Sequence, residues 1–151
     1  MPLIIHQIYM DASPAKCFDL ARNVEIHTQT TIQTKEKAVA GVTIGLLQLN
    51  DRVTWEATHF GIKQRLTAEI TNMVIPFKFT DVMIEGAFHS FTHTHEFVPY
   101  CNGTLMKDMF DYKAPYKFIG MIADKLFLER YMKNFIVSRA TELKKIAETN
   151  L

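Results

Sequence analysis

The sequence predicts an α+β fold, in which a curved antiparallel sheet of seven strands wraps around a long C-terminal helix and two short helices lie between strands 1 and 2. Three observations predict it. Between residues 52 and 113, apolar and polar side chains alternate in several runs, as half-buried strands require. Those runs are parted by short breaker segments at Phe60-Gly61, Pro76, Gly86 and residues 99–103, which suit hairpin connections. After Pro115 the period changes, and Phe118, Met121, Ile122, Leu128, Met132, Phe135, Ile136, Ala140, Leu143 and Ala147 recur at helical intervals.

The first strand is Leu3–Met10, rich in Ile, Leu and Tyr. Ser13 then offers a capping hydroxyl and Pro14 a helix-compatible φ, so a short helix starts there and carries Cys17, Phe18, Leu20 and Ala21. A second helical turn covers Val24–Thr30, and a strand follows over residues 35–40. The glycines of residues 41–50 break any regular element. Val53, Trp55, Ala57 and His59 share one face of the next strand, and Gln64, Leu66, Ala68 and Ile70 share one face of the strand after it. Further strands cover residues 77–85, 88–98 and 104–113. A final helix of about 30 residues, roughly 45 Å long, cannot bury its stripe against itself and must cross the concave face of the sheet. Side chains fill such a saddle only at its rim, so an internal cavity is expected.

The length suits one domain spanning residues 1–151. With 17 basic against 16 acidic residues and no basic run, the chain lacks the charge that phosphate recognition needs, so no nucleic-acid partner is expected. The longest uncharged stretch, residues 38–50, is 13 residues with two glycines and falls short of the roughly 20 apolar residues of a membrane span. The N-terminus carries no basic segment ahead of an apolar run, so a cytoplasmic location is expected. Cys17 and Cys101 form no CxxC and read as reduced thiols. A monomer or weak homodimer is expected.

Several local phrases carry a resemblance. They are Asp51-Arg52-Val53-Thr54-Trp55-Glu56-Ala57 with His59-Phe60-Gly61, residues 91–97 with their alternating histidines, and Gly103-Thr104-Leu105-Met106 with Asp108 and Tyr112. Pro115 leading into Ala123-Asp124-Lys125-Leu126-Phe127 and Arg130-Tyr131-Met132 completes the set. Together with the order of elements over the whole chain, they resemble the START-like superfamily, also called SRPBCC or the polyketide cyclase/dehydrase and lipid-transport group, in its small stand-alone bacterial members. The resemblance implies a helix-grip fold and a cavity for an apolar ligand, with no required cofactor or metal. The group hosts lipid carriers, hormone receptors, cyclases and hydroxylase domains, so membership alone does not imply catalysis.

His89, Phe91, His93, His95 and Phe97 alternate along one strand and share a face. Met106, Asp108, Phe110 and Tyr112 do the same on the last strand. The expected ligand-binding set is Trp55, His59, Phe91, His93, His95, Met106, Asp108, Phe110, Tyr112, Ile122, Leu128 and Met132. Three readings of its polar members stand side by side. His59, His93, His95, Asp108 and Tyr112 hold the polar end of an otherwise apolar ligand; or His93 or His95, oriented by Asp108, acts as general acid or base in a dehydration or cyclisation; or these groups only satisfy one another in the packed interior. His93-x-His95 also has same-face geometry for a metal, with His89 or His59 as a third ligand. No carboxylate adjoins the pair in sequence at a spacing typical of metal sites, so no metal is expected.

Phe60, Gly61 and Ile62, then Gly86 and Phe88, then Tyr116 and Phe118 occupy connections at one end of the sheet, because alternate antiparallel connections share an end. Apolar side chains beside glycines suit a ligand portal or a lip that touches a membrane transiently. They equally suit a plug over the core. The function expected from the whole is binding or transport of a hydrophobic or amphipathic small molecule, with a cyclase/dehydratase and an interaction module as alternatives.

Overall fold

The computed structural model describes residues 2–114 and 125–149. Strands β1 (Leu3–Met10), β2 (Lys37–Gly41), β3 (Arg52–His59), β4 (Ile62–Val74), β5 (Lys78–Glu85), β6 (Ser90–Tyr100) and β7 (Gly103–Lys113) form one antiparallel sheet. Its order is β1-β7-β6-β5-β4-β3-β2, so the first strand returns to pair with the last. Helices α1 (Pro14–Ala21) and α2 (Val24–Thr30) follow β1, and α3 (Lys125–Thr149) lies across the sheet. This is the α+β architecture the sequence predicts.

Local chemistry explains the helix starts. The Ser13 hydroxyl accepts from the Lys16 amide with Pro14 at the first turn, and the Asn23 side chain accepts from the Ile26 amide. Between β3 and β4 the chain turns in two residues, Phe60 at φ 56° and Gly61 at φ 75°. Two left-handed residues in succession match the twist of the flanking strands, as tight hairpins need.

Several boundaries differ from expectation, and those of β2, β6 and β4 matter most. β2 begins at Lys37 instead of residue 35, because Ile32–Thr34 forms a 3-10 turn that ends with Lys35 in the left-handed region. β6 begins at Ser90, which leaves His89 exposed in the preceding connection and off the inward face assigned to it. β4 runs on to Val74 past a register shift between Ile70 and Asn72. The start of the C-terminal helix expected from Phe118 to Ile122 lies outside the described residues.

The buried side chains fall into two groups. Phe18, Trp55, Phe79, Phe97 and Met106 pack with Ala140, Leu143 and Ala147 from the C-terminal half of α3. Ile4, Phe91, Phe110 and Tyr112 pack with Leu128, Met132 and Ile136 from its N-terminal half. Cys17 is buried and Cys101 exposed, both as free thiols.

Candidate functional site

Between the two groups, a cavity of about 330 Å³ separates the sheet from α3. Most of its wall is apolar: Trp55, Ala57, Leu66, Ala68, Phe91, Met106 and Phe110 from the strands, and Leu128, Met132, Phe135, Ile136 and Leu143 from the helix. Polar side chains enter it in three places.

The first is the middle of the sheet. Inward-facing positions on β5, β6 and β7 bring Asp81, His93, His95 and Asp108 together, with His95 directly across the strand pair from Asp108 and His93 across from Asp81. His95 donates from Nδ1 to Asp108 Oδ1 at 3.0 Å and from Nε2 to Asp81 Oδ1 at 2.9 Å. His93 donates from Nε2 to the same Asp108 oxygen at 3.0 Å. The two imidazole rings lie 3.9 Å apart, and Phe79 stacks on His95 at 4.3 Å. Burial opposes charge on every member, but hydrogen bonds decide the outcome. They hold the Asp108 carboxyl well below the usual carboxylate range and lower Asp81 as well, while the two carboxylates raise His95 above its ordinary value. His93 moves the other way, because burial and the neighbouring His95 both oppose its protonation more than Asp108 favours it. The two carboxylates thus favour a proton on His95, while burial disfavours one on its neighbour His93.

The second place is the end near α2. His27 stacks on Trp55 at 4.0 Å and donates from Nε2 to Glu36 Oε1 at 2.5 Å. Burial, then the charge of Arg139, lower the His27 pKa; the contact with His27 lowers Glu36 despite its burial. Arg139 reaches in from α3, donates to the Ala21 carbonyl at 3.2 Å, and keeps a buried Nε with no partner among the described residues.

The third lies near the β3–β4 hairpin. His59 Nδ1 is 2.5 Å from the Tyr131 hydroxyl, and burial lowers the His59 pKa. Phe60 covers this corner, its ring 4.6 Å from Tyr131 and 5.5 Å from Phe127.

Trp55, His59, Phe91, His93, His95, Met106, Asp108, Phe110, Leu128 and Met132 therefore all line the cavity. Tyr112 faces inward but packs behind the wall against Phe88 and Phe110, its buried hydroxyl without a partner among the described residues. Phe60 and Phe88 line the cavity at one end, whereas Ile62 is exposed and Gly86 sits against Leu66 and Met83. Ile122, Tyr116 and Phe118 lie outside the described residues.

Sequence reasoning missed Asp81, His27, Glu36, Tyr131 and Arg139. A signal existed for three of them. Asp81 shares the inward face with Phe79, and Tyr131 and Arg139 stand three residues after Leu128 and Ile136 on the apolar stripe of α3. His27 and Glu36 come together through the 3-10 turn, which no periodicity announces. The histidines that could in principle have joined His93 and His95 are engaged differently, since His59 pairs with Tyr131 and His89 is outside the strand. No carboxylate adjoins the pair in sequence, yet two reach it in space: Asp108, expected to orient the histidines, from β7, and Asp81 from β5. One nitrogen of each imidazole and one Asp81 oxygen all lie within 4.8 Å of one another.

No protein-family model matches the sequence, and no curated protein matches it. Solved structures do. A protein from Thermus thermophilus superposes with a TM-score of 0.78 at 21% identity over 95% of each chain. A Chromobacterium violaceum protein gives 0.74 at 10% identity over 98% of each chain. The major latex-like protein 151 of Panax ginseng gives 0.68 at 15% identity over 97% of each chain. At such identities the likeness is one of fold, and the shared fold is the helix grip. No described helix is long and apolar enough to cross a membrane.

Proposed function

We propose that this chain binds a hydrophobic or amphipathic small molecule, of the lipid, isoprenoid or polyketide-like class, in the cavity between the sheet and α3. The observation that carries the reading is the cavity itself. Its volume of about 330 Å³ and its apolar wall with a few convergent polar groups are those of a small-molecule site. The apolar body of the ligand packs against Phe91, Phe110, Leu128 and Met132, and its polar end meets His93, His95 and Asp108. Phe60 and Phe88 stand where the ligand enters. The START-like resemblance supports the same reading, because that group holds apolar ligands.

Native mass spectrometry of freshly purified protein tests it. A mass excess of a few hundred daltons, released on denaturation, is the expected result. Trp55 is the single tryptophan and lines the cavity, so its fluorescence reports added ligands independently. An apo mass together with unchanged Trp55 emission across fatty acids, isoprenols and aromatic polyketides would overturn the reading.

A cyclase or dehydratase acting on such a ligand is the second reading, favoured by the hydrogen bond from His93 to Asp108. An imidazole oriented by a carboxylate and facing a bound carbonyl can exchange a proton with it. Under this reading His93→Gln abolishes turnover while leaving ligand affinity within a few-fold.

A further inference from the structure

We propose that Asp81, His93 and His95 form a binding site for a divalent first-row transition ion of the Zn²⁺ type, with an open coordination position facing the cavity. The inference stands apart from the ligand reading. Two imidazoles and one carboxylate are the donor set that suits such ions; thiolates for soft ions are absent from the cluster, and an all-oxygen cage for Mg²⁺ or Ca²⁺ is not what it offers.

Geometry carries the case. A tetrahedral ion with bonds of about 2.0–2.1 Å holds its ligand atoms about 3.3 Å apart. Here the three candidate donor atoms already lie within 4.8 Å of one another, and His95 Nε2 is 2.9 Å from Asp81 Oδ1. Small rotations of the side chains, with the ion replacing the hydrogen between His95 and Asp81, complete the set. The three ligands come from adjacent strands β5 and β6, which fixes their spacing by the sheet ladder and not by a loop.

Asp108 supplies the support such sites use. Its Oδ1 accepts from Nδ1 of His95 and Nε2 of His93, so each ring is held through one nitrogen and keeps another. Asp81, His93 and His95 all line the cavity, so a fourth position on the ion opens toward it. A polar oxygen or nitrogen of a bound molecule, or a water, can fill that position.

The test strips the full-length protein with a chelator and titrates it with Zn²⁺, then with Co²⁺. The expected result is one ion retained per chain after desalting, a visible Co²⁺ spectrum of low coordination number, and Zn²⁺-induced shifts of the His93 and His95 side-chain NMR signals in the unaltered protein. Asp81→Asn and His93→Gln should each weaken retention by at least about tenfold. The NMR readout keeps the test decisive if either variant folds poorly. No stoichiometric retention overturns the inference, and so does retention that both folded variants preserve, which would place the ion at adventitious surface groups. An ion without an organic ligand supports this site while the ligand reading fails, and the mass of the retained species separates the two.

Discussion

Asp108 is 4% exposed, and one of its oxygens accepts from two imidazoles. Removing it strands the His93 donor and takes from His95 one of the two carboxylates it pairs with. Breaking a buried pair by deleting one partner costs about 3–5 kcal/mol. Asp108→Ala should lose about that much in urea unfolding at neutral pH, and a loss below about 1 kcal/mol would show that water readily replaces the carboxylate. His27 and Glu36 give a pH dependence of definite sign. Burial and Arg139 hold the folded His27 pKa below its unfolded value of about 6.5, so acid protonates the unfolded chain first and stability falls as pH drops below about 6.5. Glu36, lowered in the folded state, is worth most above its unfolded value of about 4.3 and loses its contribution as pH falls further through its folded pKa. Arg139 and Asp81 face His27, and Arg139 and His59 face Glu36. Other buried imidazoles contribute to the same acid limb, so the diagnostic is a difference. The urea midpoint of His27→Gln should decline less steeply between pH 7 and 5 than that of the unaltered protein; parallel declines would remove His27 from the acid response.

The β3–β4 hairpin shows how one element sets the cavity mouth. Phe60 occupies the left-handed region at φ 56°, where a bulky L-residue is disfavoured by about 1–2 kcal/mol, and its ring rests on Tyr131 and Phe127. Phe60→Asn relieves the backbone and removes the ring, so stability should change by less than about 1 kcal/mol. Ligand exchange, followed through Trp55 fluorescence in stopped flow, should accelerate several-fold. Unchanged exchange rates would put the entrance elsewhere. The hairpin was legible in the sequence as an alternating run broken at Phe60-Gly61. So were the other strands, because a half-buried strand cannot avoid writing its period of two. The alternation fails after Ile70, where the bulge shifts the register, and the last residues of β4 therefore carry no strand signal. The 3-10 turn Ile32–Thr34 is too short to have a period at all.

At the scale of the molecule, the cavity followed from architecture: a curved sheet gripping one helix leaves room between them, and the two packed groups of side chains on either side are its consequence. Inward-facing residues of single strands were legible from their alternation, and Trp55 and His59 on β3, like Met106, Asp108 and Phe110 on β7, line the cavity. What no single-strand pattern could supply was the pairing across strands, so the meeting of Asp81 with His95, or of His27 with Glu36, emerged only with the fold. A cavity that exists to hold a ligand also answers to enlargement of its wall differently from a filled core. Ala68 is 4% exposed on β4 and lines the cavity, whereas Ala147 is fully buried in α3 away from it. Added methylenes in a filled interior cost about 1–3 kcal/mol, because neighbours must leave their rotamers. Ala147→Leu should therefore lose about that much stability while ligand affinity holds. Ala68→Leu projects into empty space, so the unliganded protein should keep its stability to within about 1 kcal/mol, yet bind ligand at least about tenfold more weakly because the added side chain takes its volume. Equal destabilisation by the two substitutions, with affinity untouched by Ala68→Leu, would mean that the ligand does not occupy this space.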